Sequence, residues 1–207
     1  CSSDLGTYKV FASSSSASLL RDQKAFLTGR ATTFEIEPLD FNEYLLFNDL
    51  DRDKLASYQL EKYFEEYMMY GGIPEYVLTK DPNYLTELID STLHKDIISK
   101  HGLKNNPEIE SLFRLLCERV GKQVSYNKLS KILGISNDSI KKYIGYFCDS
   151  YLFFIVEKKG KLNEMLLSDK KIYSADVGIK NIVTGFRDLG AVYENLVFLK
   201  IKHKNPN

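Results

Sequence analysis

Apolar residues recur along this chain at three-and-four spacing for most of its length, which predicts a mainly α protein with a few short strands, α+β in class. The clearest stretch covers residues 110–174. Ser125 reads as the N-cap of a helix that presents Leu129, Ile132 and Leu133 on one side and stops at Gly134, whose missing Cβ permits a left-handed turn. Ser136 caps a second helix, on which Ile140, Tyr143, Ile144, Phe147, Cys148 and Tyr151 form an inward stripe. Residues 152–157 and 170–175 are strand candidates, separated by Lys158-Lys159-Gly160-Lys161 and a loop. Two capped helices around a glycine turn, followed by two strands, have the layout of a winged helix-turn-helix.

Upstream, residues 8–12 and 33–37 read as short strands, and residues 17–26 have helical character. Ser13-Ser14-Ser15-Ser16 has the composition of a flexible loop. Asp40, with Glu43 three residues on, predicts a capping box after Pro38. A Glu- and Tyr-rich helix over residues 54–70 is stopped by Gly71-Gly72-Ile73-Pro74, and residues 75–78 resume it. After Asp81-Pro82 a long helix carries Tyr84, Leu85, Leu88, Ile89, Leu93, Ile97 and Ile98 and ends near Gly102. Asn105-Asn106-Pro107 marks a boundary, because Pro107 suits the first turn of a helix holding Ile109, Leu112, Phe113, Leu116 and Val120. In the tail, Asp176-Val177-Gly178 turns into a short helix. Residues 190–200 then form a helix so apolar that its inner face would be exposed unless more chain packs on it, so the natural chain is expected to continue.

Charge adds an asymmetry. Residues 1–103 hold ten Lys/Arg against seventeen Asp/Glu, and residues 104–207 hold eighteen against eleven, so a net charge of zero conceals halves of −7 and +7. A basic half suits a polyanion, and it equally suits an acidic half folded against it. No apolar run approaches the ~20 residues that span a membrane. Cys1, Cys117 and Cys148 lack paired or metal-ligand spacing, which points to a reducing, cytoplasmic setting. His94 and His101 sit seven apart on one helix with no third ligand near in sequence, so no metal site is assigned.

The order and spacing of several segments resemble the AAA+-like P-loop ATPases that carry a DUF4143 region. They are residues 10–16, Leu27-Thr28-Gly29-Arg30, Pro38-Leu39-Asp40-Phe41-Asn42-Glu43-Tyr44, Gly71-Gly72-Ile73-Pro74-Glu75, Lys95-Asp96-Ile97-Ile98, Tyr126-Asn127-Lys128-Leu129, Lys171-Ile172-Tyr173, Asp176-Val177-Gly178 and Tyr193-Glu194-Asn195-Leu196-Val197. The resemblance implies that residues 1–52 are a remnant of an ATPase core and residues 53–104 a helical lid-like linker. Residues 105–176 would be the winged helix and residues 177–207 the truncated start of a nuclease-like domain, with Glu194 in its opening helix. It also implies ATP and magnesium in the complete protein, with Ser13, Ser14 and Arg30 sensing phosphate there. The chain itself has no Gly-Lys-Ser/Thr phosphate loop and no strand ending in paired acids. No catalytic residue and no cofactor are therefore assigned to it, and it is expected to be inactive alone.

The functional expectation is therefore binding. Lys128, Asn137, Lys141 and Lys142 on the outer face of the two helices, with Lys158, Lys159 and Lys161 on the wing, are the candidate contacts to double-stranded DNA. The alternative is a protein-interaction module that meets the ATPase core or another subunit, since Asp138 and Asp149 would repel phosphate.

Overall fold

In the computed structural model, which describes residues 11, 13, 14, 32, 34–103, 107–161 and 168–204, the capping box read from the sequence is in place. Asp40 accepts the backbone N–H groups of Asn42 and Glu43, and Glu43 accepts that of Asp40, opening α1 (Phe41–Phe47). A single 3-10 turn (Arg52–Lys54) leads to α2 (Ser57–Tyr70). Beyond the Gly71-Gly72 break, Pro74 opens a separate short helix, α3 (Pro74–Thr79), and Pro82 opens α4 (Pro82–Ser91).

The long helix predicted after Pro82 changes character halfway, passing from α4 into a π-helical segment (Thr92–Ser99). Its buried residues Leu85, Ile89, Leu93 and Ile97 are each four apart. At about 3.6 residues per turn, four-residue steps creep round an α-helix, and a wider turn brings them back onto one face.

Next come α5 (Pro107–Glu118), β1 (Gln123–Val124), α6 (Tyr126–Leu133), α7 (Asn137–Asp149), β2 (Phe153–Val156) and β3 (Lys170–Ser174). β3 lies between the other two strands and antiparallel to both, with Gln123 opposite Lys171 and Phe153 opposite Ser174. β1 has no counterpart among the sequence expectations, because two residues cannot display an alternating pattern. The chain closes with α8 (Val177–Thr184) and α9 (Leu189–Lys204).

Two apolar clusters organise these elements. The larger runs from Tyr76 on α3 and Leu85 on α4 through α5, α6, α7 and the sheet to Ile179. The smaller joins Tyr44, Leu45, Tyr67 and Val77 to Val177, Val192 and Leu196, so the first and last helices share a core. Residues 177–184, which the resemblance sets at the start of a further domain, form α8, packed on α2, α4 and α5. Val177 belongs to one cluster and Ile179 to the other.

A buried polar clasp holds α8 in place. The Asp176 carboxylate accepts the N–H of Gly72 at 2.6 Å and that of Gly178 at 2.7 Å. The Asn181 side-chain amide donates to the carbonyls of Met68 and Met69 at the end of α2, which lack helical partners there. Gly72 and Gly178 are required by close approach, since a Cβ would lie 2.1 Å from the Leu39 carbonyl oxygen or 2.3 Å from that of Tyr70.

Several expectations need correction. Ile132 is 61% exposed, not inward, because α6 is two turns long and its packed line runs through Leu129 with Leu133. Tyr151 lies beyond the end of α7 in a positive-φ turn (φ 54), so the inward stripe stops before it. Residues 34–37 pair in no ladder among the described residues, so the strand expected at 33–37 is absent there. The helix expected at 17–26 falls outside the described residues, as does the strand at 8–12 apart from Phe11.

Candidate nucleic-acid interface

The turn between α6 and α7 is built as its residues predict. Gly134 ends α6 in the left-handed region (φ 69), and the Ser130 hydroxyl donates to the Ile135 carbonyl at 2.5 Å. The Ser136 hydroxyl then accepts the Ser139 N–H at 3.1 Å and opens α7. Ser125 occupies the N-cap position of α6, but its side chain makes no capping bond.

Packing decides which way the polar residues point. Leu129 on α6 and Ile140, Ile144 and Phe147 on α7 are buried, which leaves Lys128, Lys131, Asn137, Asp138, Lys141 and Lys142 exposed on the far sides. The Asn137 side-chain amide donates to the side-chain oxygen Oδ1 of Asn127, tying the first turns of the two helices together. The Lys142 ammonium stands 5.9 Å from the centre of the Tyr146 ring, and His101 stacks on that ring at 3.6 Å, 11° from parallel. Burial, then the charges of Lys100 and Lys142, lower the His101 pKa, with Asp149 opposing.

Beyond β2, Lys158, Lys159 and Lys161 are exposed. Among the described residues, no ion pair involves Lys128, Lys131, Lys141, Lys142, Lys158, Lys159 or Lys161. Other lysines of the basic half are compensated: Lys170 by Glu157 at 3.1 Å, Lys171 by Glu194 at 2.6 Å, and Lys200 by Asp40 at 2.6 Å. Lys202 pairs with Glu37, as does His203 at 3.4 Å. Part of the positive half is thus neutralised by the negative half across the smaller core. Among the described residues, exposed positive charge without an ion-pair partner remains on α6, α7 and the segment after β2, and also at Arg114, Arg119 and Lys204.

All seven residues expected on this surface are therefore exposed. Lys131 belongs with them and was missed; its place three residues after Lys128, on the same helical face, was the available signal. Ser13 and Ser14 are exposed, and Arg30 lies outside the described residues.

Elsewhere the titratable groups are engaged with their neighbours. Glu194 accepts from Lys171 and from the Tyr173 hydroxyl at 2.8 Å, and the Lys171 bond leads in lowering its pKa. His94 stands 3.7 Å from Glu110, and no group of three or more His, Cys, Asp or Glu among the described residues is arranged to hold a metal. A small cleft is lined by Glu118, Lys122, Lys180, Arg187 and Asp188. Two ion pairs cross it, Lys122 with Asp188 and Arg187 with Glu118, each at 2.5 Å. Burial pushes the Asp176 carboxyl up to about 6, against the lowering effect of its backbone hydrogen bonds. No helix among the described residues is long and apolar enough to cross a membrane.

A family model for a domain of unknown function, DUF8612, matches residues 61–190. An uncharacterized protein of Methanocaldococcus jannaschii, MJ1544, is 31% identical over 212 residues, covering 95% of this chain and 48% of the relative. An uncharacterized protein of Haemophilus influenzae is 30% identical over 203 residues, covering 90% of this chain and 49% of the relative. The chain therefore spans about half the length of the curated relatives it matches. No solved structure matches.

These matches overturn the resemblance to AAA+-like ATPases with a DUF4143 region, since neither family accompanies the match over residues 61–190. The ATPase-core remnant, the phosphate-sensing roles of Ser13, Ser14 and Arg30, and the implied ATP and magnesium rested on that resemblance alone. Among the described residues, the segments that suggested it lie in caps, turns, helix interiors and β3. In this fold two of them, Gly71-Gly72-Ile73-Pro74 and Asp176-Val177-Gly178, meet in the buried clasp, whose hydrogen bonding accounts for their residue types without any nucleotide.

Proposed function

This chain belongs to the family of the domain of unknown function DUF8612, and from that premise, which carries no activity with it, we propose that residues 107–174 are a winged helix-turn-helix that binds double-stranded DNA. The observation that carries this reading is the set of seven exposed lysines without ion-pair partners on α6, α7 and the segment after β2. The order helix, strand, helix, helix, strand, strand, with the last strand central in the sheet, supports the winged form. In such a fold the first turns of α7 approach base edges in the major groove. Asn137 and Lys141 stand in those turns. Lys158, Lys159 and Lys161 reach backbone phosphates beside them.

Titration of a fluorescent random duplex at several salt concentrations tests this. The logarithm of the affinity should fall linearly with the logarithm of salt concentration. Lys141→Glu with Lys142→Glu should abolish binding, while Lys62→Glu, on an exposed position of α2, should leave it unchanged. Absent or salt-insensitive binding would refute the proposal.

One feature favours a protein partner instead. Asp138 is exposed in the first turn of α7, where a phosphate or base edge would approach, and Ile132 is an exposed apolar residue on the neighbouring helix. Under this second reading the double lysine variant disturbs association with a protein, and the duplex is not retained by either form.

A further inference from the structure

The bridging helix α8 holds one charged residue, Lys180, among apolar, small and uncharged polar ones, and packing between the two cores leaves it 3% exposed. Its ammonium has three N–H donors. One reaches the Arg187 carbonyl at 2.7 Å, and a second, at 3.4 Å, the side-chain oxygen of Asn181, whose amide nitrogen is fixed by the Met68 and Met69 carbonyls. Both acceptors are neutral. Among the described residues no carboxylate stands within ion-pair distance of Lys180. A buried charge is costly unless an opposite charge meets it, so this ammonium lacks the partner that its burial calls for.

Lys180 also lines the cleft between the end of α5, α8 and the turn into α9, a space of about 160 Å³. About 10–15 Å³ on such a measure holds one water, so a ligand of several heavy atoms has room there. The two carboxylates of the lining are committed to other cations, Asp188 to Lys122 and Glu118 to Arg187. With Lys122, Lys180 and Arg187 set against Glu118 and Asp188, the cleft carries one positive charge in excess, and the pairing places it on Lys180. Burial, then the charges of Arg187 and Lys122, lower the Lys180 pKa, with Asp188 and Cys117 opposing, as expected of an ammonium short of counter-charge.

We infer that this cleft binds the carboxylate of a small organic acid, with Lys180 as its counter-ion. A carboxylate brings the single negative charge that leaves the cleft neutral, and it brings acceptor oxygens for the remaining N–H of Lys180. A phosphate dianion would exceed that charge and stand beside Glu118 and Asp188. The two ion pairs stay closed and form polar walls of both signs, against which the rest of a small polar acid can lie. The site uses none of the lysines of α6, α7 or the segment after β2, so it stands independently of DNA binding.

Sodium acetate titrated into the nitrogen-15-labelled chain, against sodium chloride at matched ionic strength, gives the test by NMR. Acetate should shift the backbone amide signals of Lys180, Thr184 and Arg187 saturably, with a midpoint well below that of chloride. Lys180→Met keeps the length of the side chain and removes its charge, and it should raise the acetate midpoint by roughly tenfold or more, the worth of a hydrogen bond to a charged group. Should circular dichroism show that variant unfolded, Thr184→Leu, which fills the cleft and leaves Lys180 in place, is read instead with the same expected loss. Equal midpoints for acetate and chloride overturn the inference, as does an acetate response that persists in the folded variant. A response to sodium phosphate without one to acetate overturns the assignment to a carboxylate.

Discussion

Asp176 is the residue on which most of the interior depends. It is buried, it accepts two backbone N–H groups from chain segments a hundred residues apart, and it sits where the two apolar clusters meet. Asp176→Ala strands both donors, at about 1–3 kcal/mol for each buried group left without a partner, and urea unfolding will measure the loss. Its titration has a definite sign. With the folded carboxyl at about 6 against 3.8 when unfolded, the native state holds a proton that the unfolded chain releases between those values. The stabilising contribution is complete below 3.8 and lost as pH rises through about 6. Urea midpoints of the wild type should therefore fall across that window relative to those of Asp176→Asn, which does not titrate. Gly178→Ala should be costly for a different reason, with a Cβ 2.3 Å from the Tyr70 carbonyl oxygen and about 1–3 kcal/mol lost to overpacking.

At the scale of elements, α7 carries two separable jobs. Its inner stripe of Ile140, Ile144 and Phe147 fills the larger core, and its outer turns present Asn137 and Lys141. Gly145 serves neither, because a Cβ there meets open space. Gly145→Ala should stabilise the protein by about 1 kcal/mol through helix propensity alone, visible as a raised Tm, with any DNA affinity unchanged. The segment after β2 tests the other job. Replacing Lys158, Lys159 and Lys161 by Gln should leave the Tm in place and reduce the salt slope of duplex binding by about 1 for each phosphate contact removed. The caps were readable because Asp40, Ser136 and Gly134 act on backbone within three residues of themselves. Ile132 misled because helical spacing says which residues share a face, and not how far the neighbouring element reaches along it.

For the whole molecule, the imbalance of charge between halves resolves into two parts, an internal one and an outward one. Lys200 and Asp40, 160 residues apart, join the ends of the chain across the smaller core. Burial raises the pKa of Asp40, but the Lys200 bond and the backbone donors of Glu43 and Asn42 outweigh it, so the carboxyl ends below its ordinary value. Its contribution is present above the ordinary carboxylate range and lost as pH falls through the lowered value. Lys200→Met should therefore cost up to about 1 kcal/mol at pH 7 and nothing once Asp40 is protonated, measured by urea unfolding at both pH values.

The sequence by itself determined the helical class, the caps and breaks, the helix start at Pro107, and the inward stripes of α5 and α7, because each depends on neighbours within a turn or two of helix. Lys141 and Lys142 were legible for the same reason: they stand opposite the stripe of α7. Only the tertiary structure decided that Gly72 and Asp176 form one clasp, that α8 bridges both cores, and which lysines are already paired. Those facts depend on contacts between segments separated by one or more other elements, 104 residues in the case of Gly72 and Asp176, and no local period in the chain encodes which distant partner a buried carboxylate will meet.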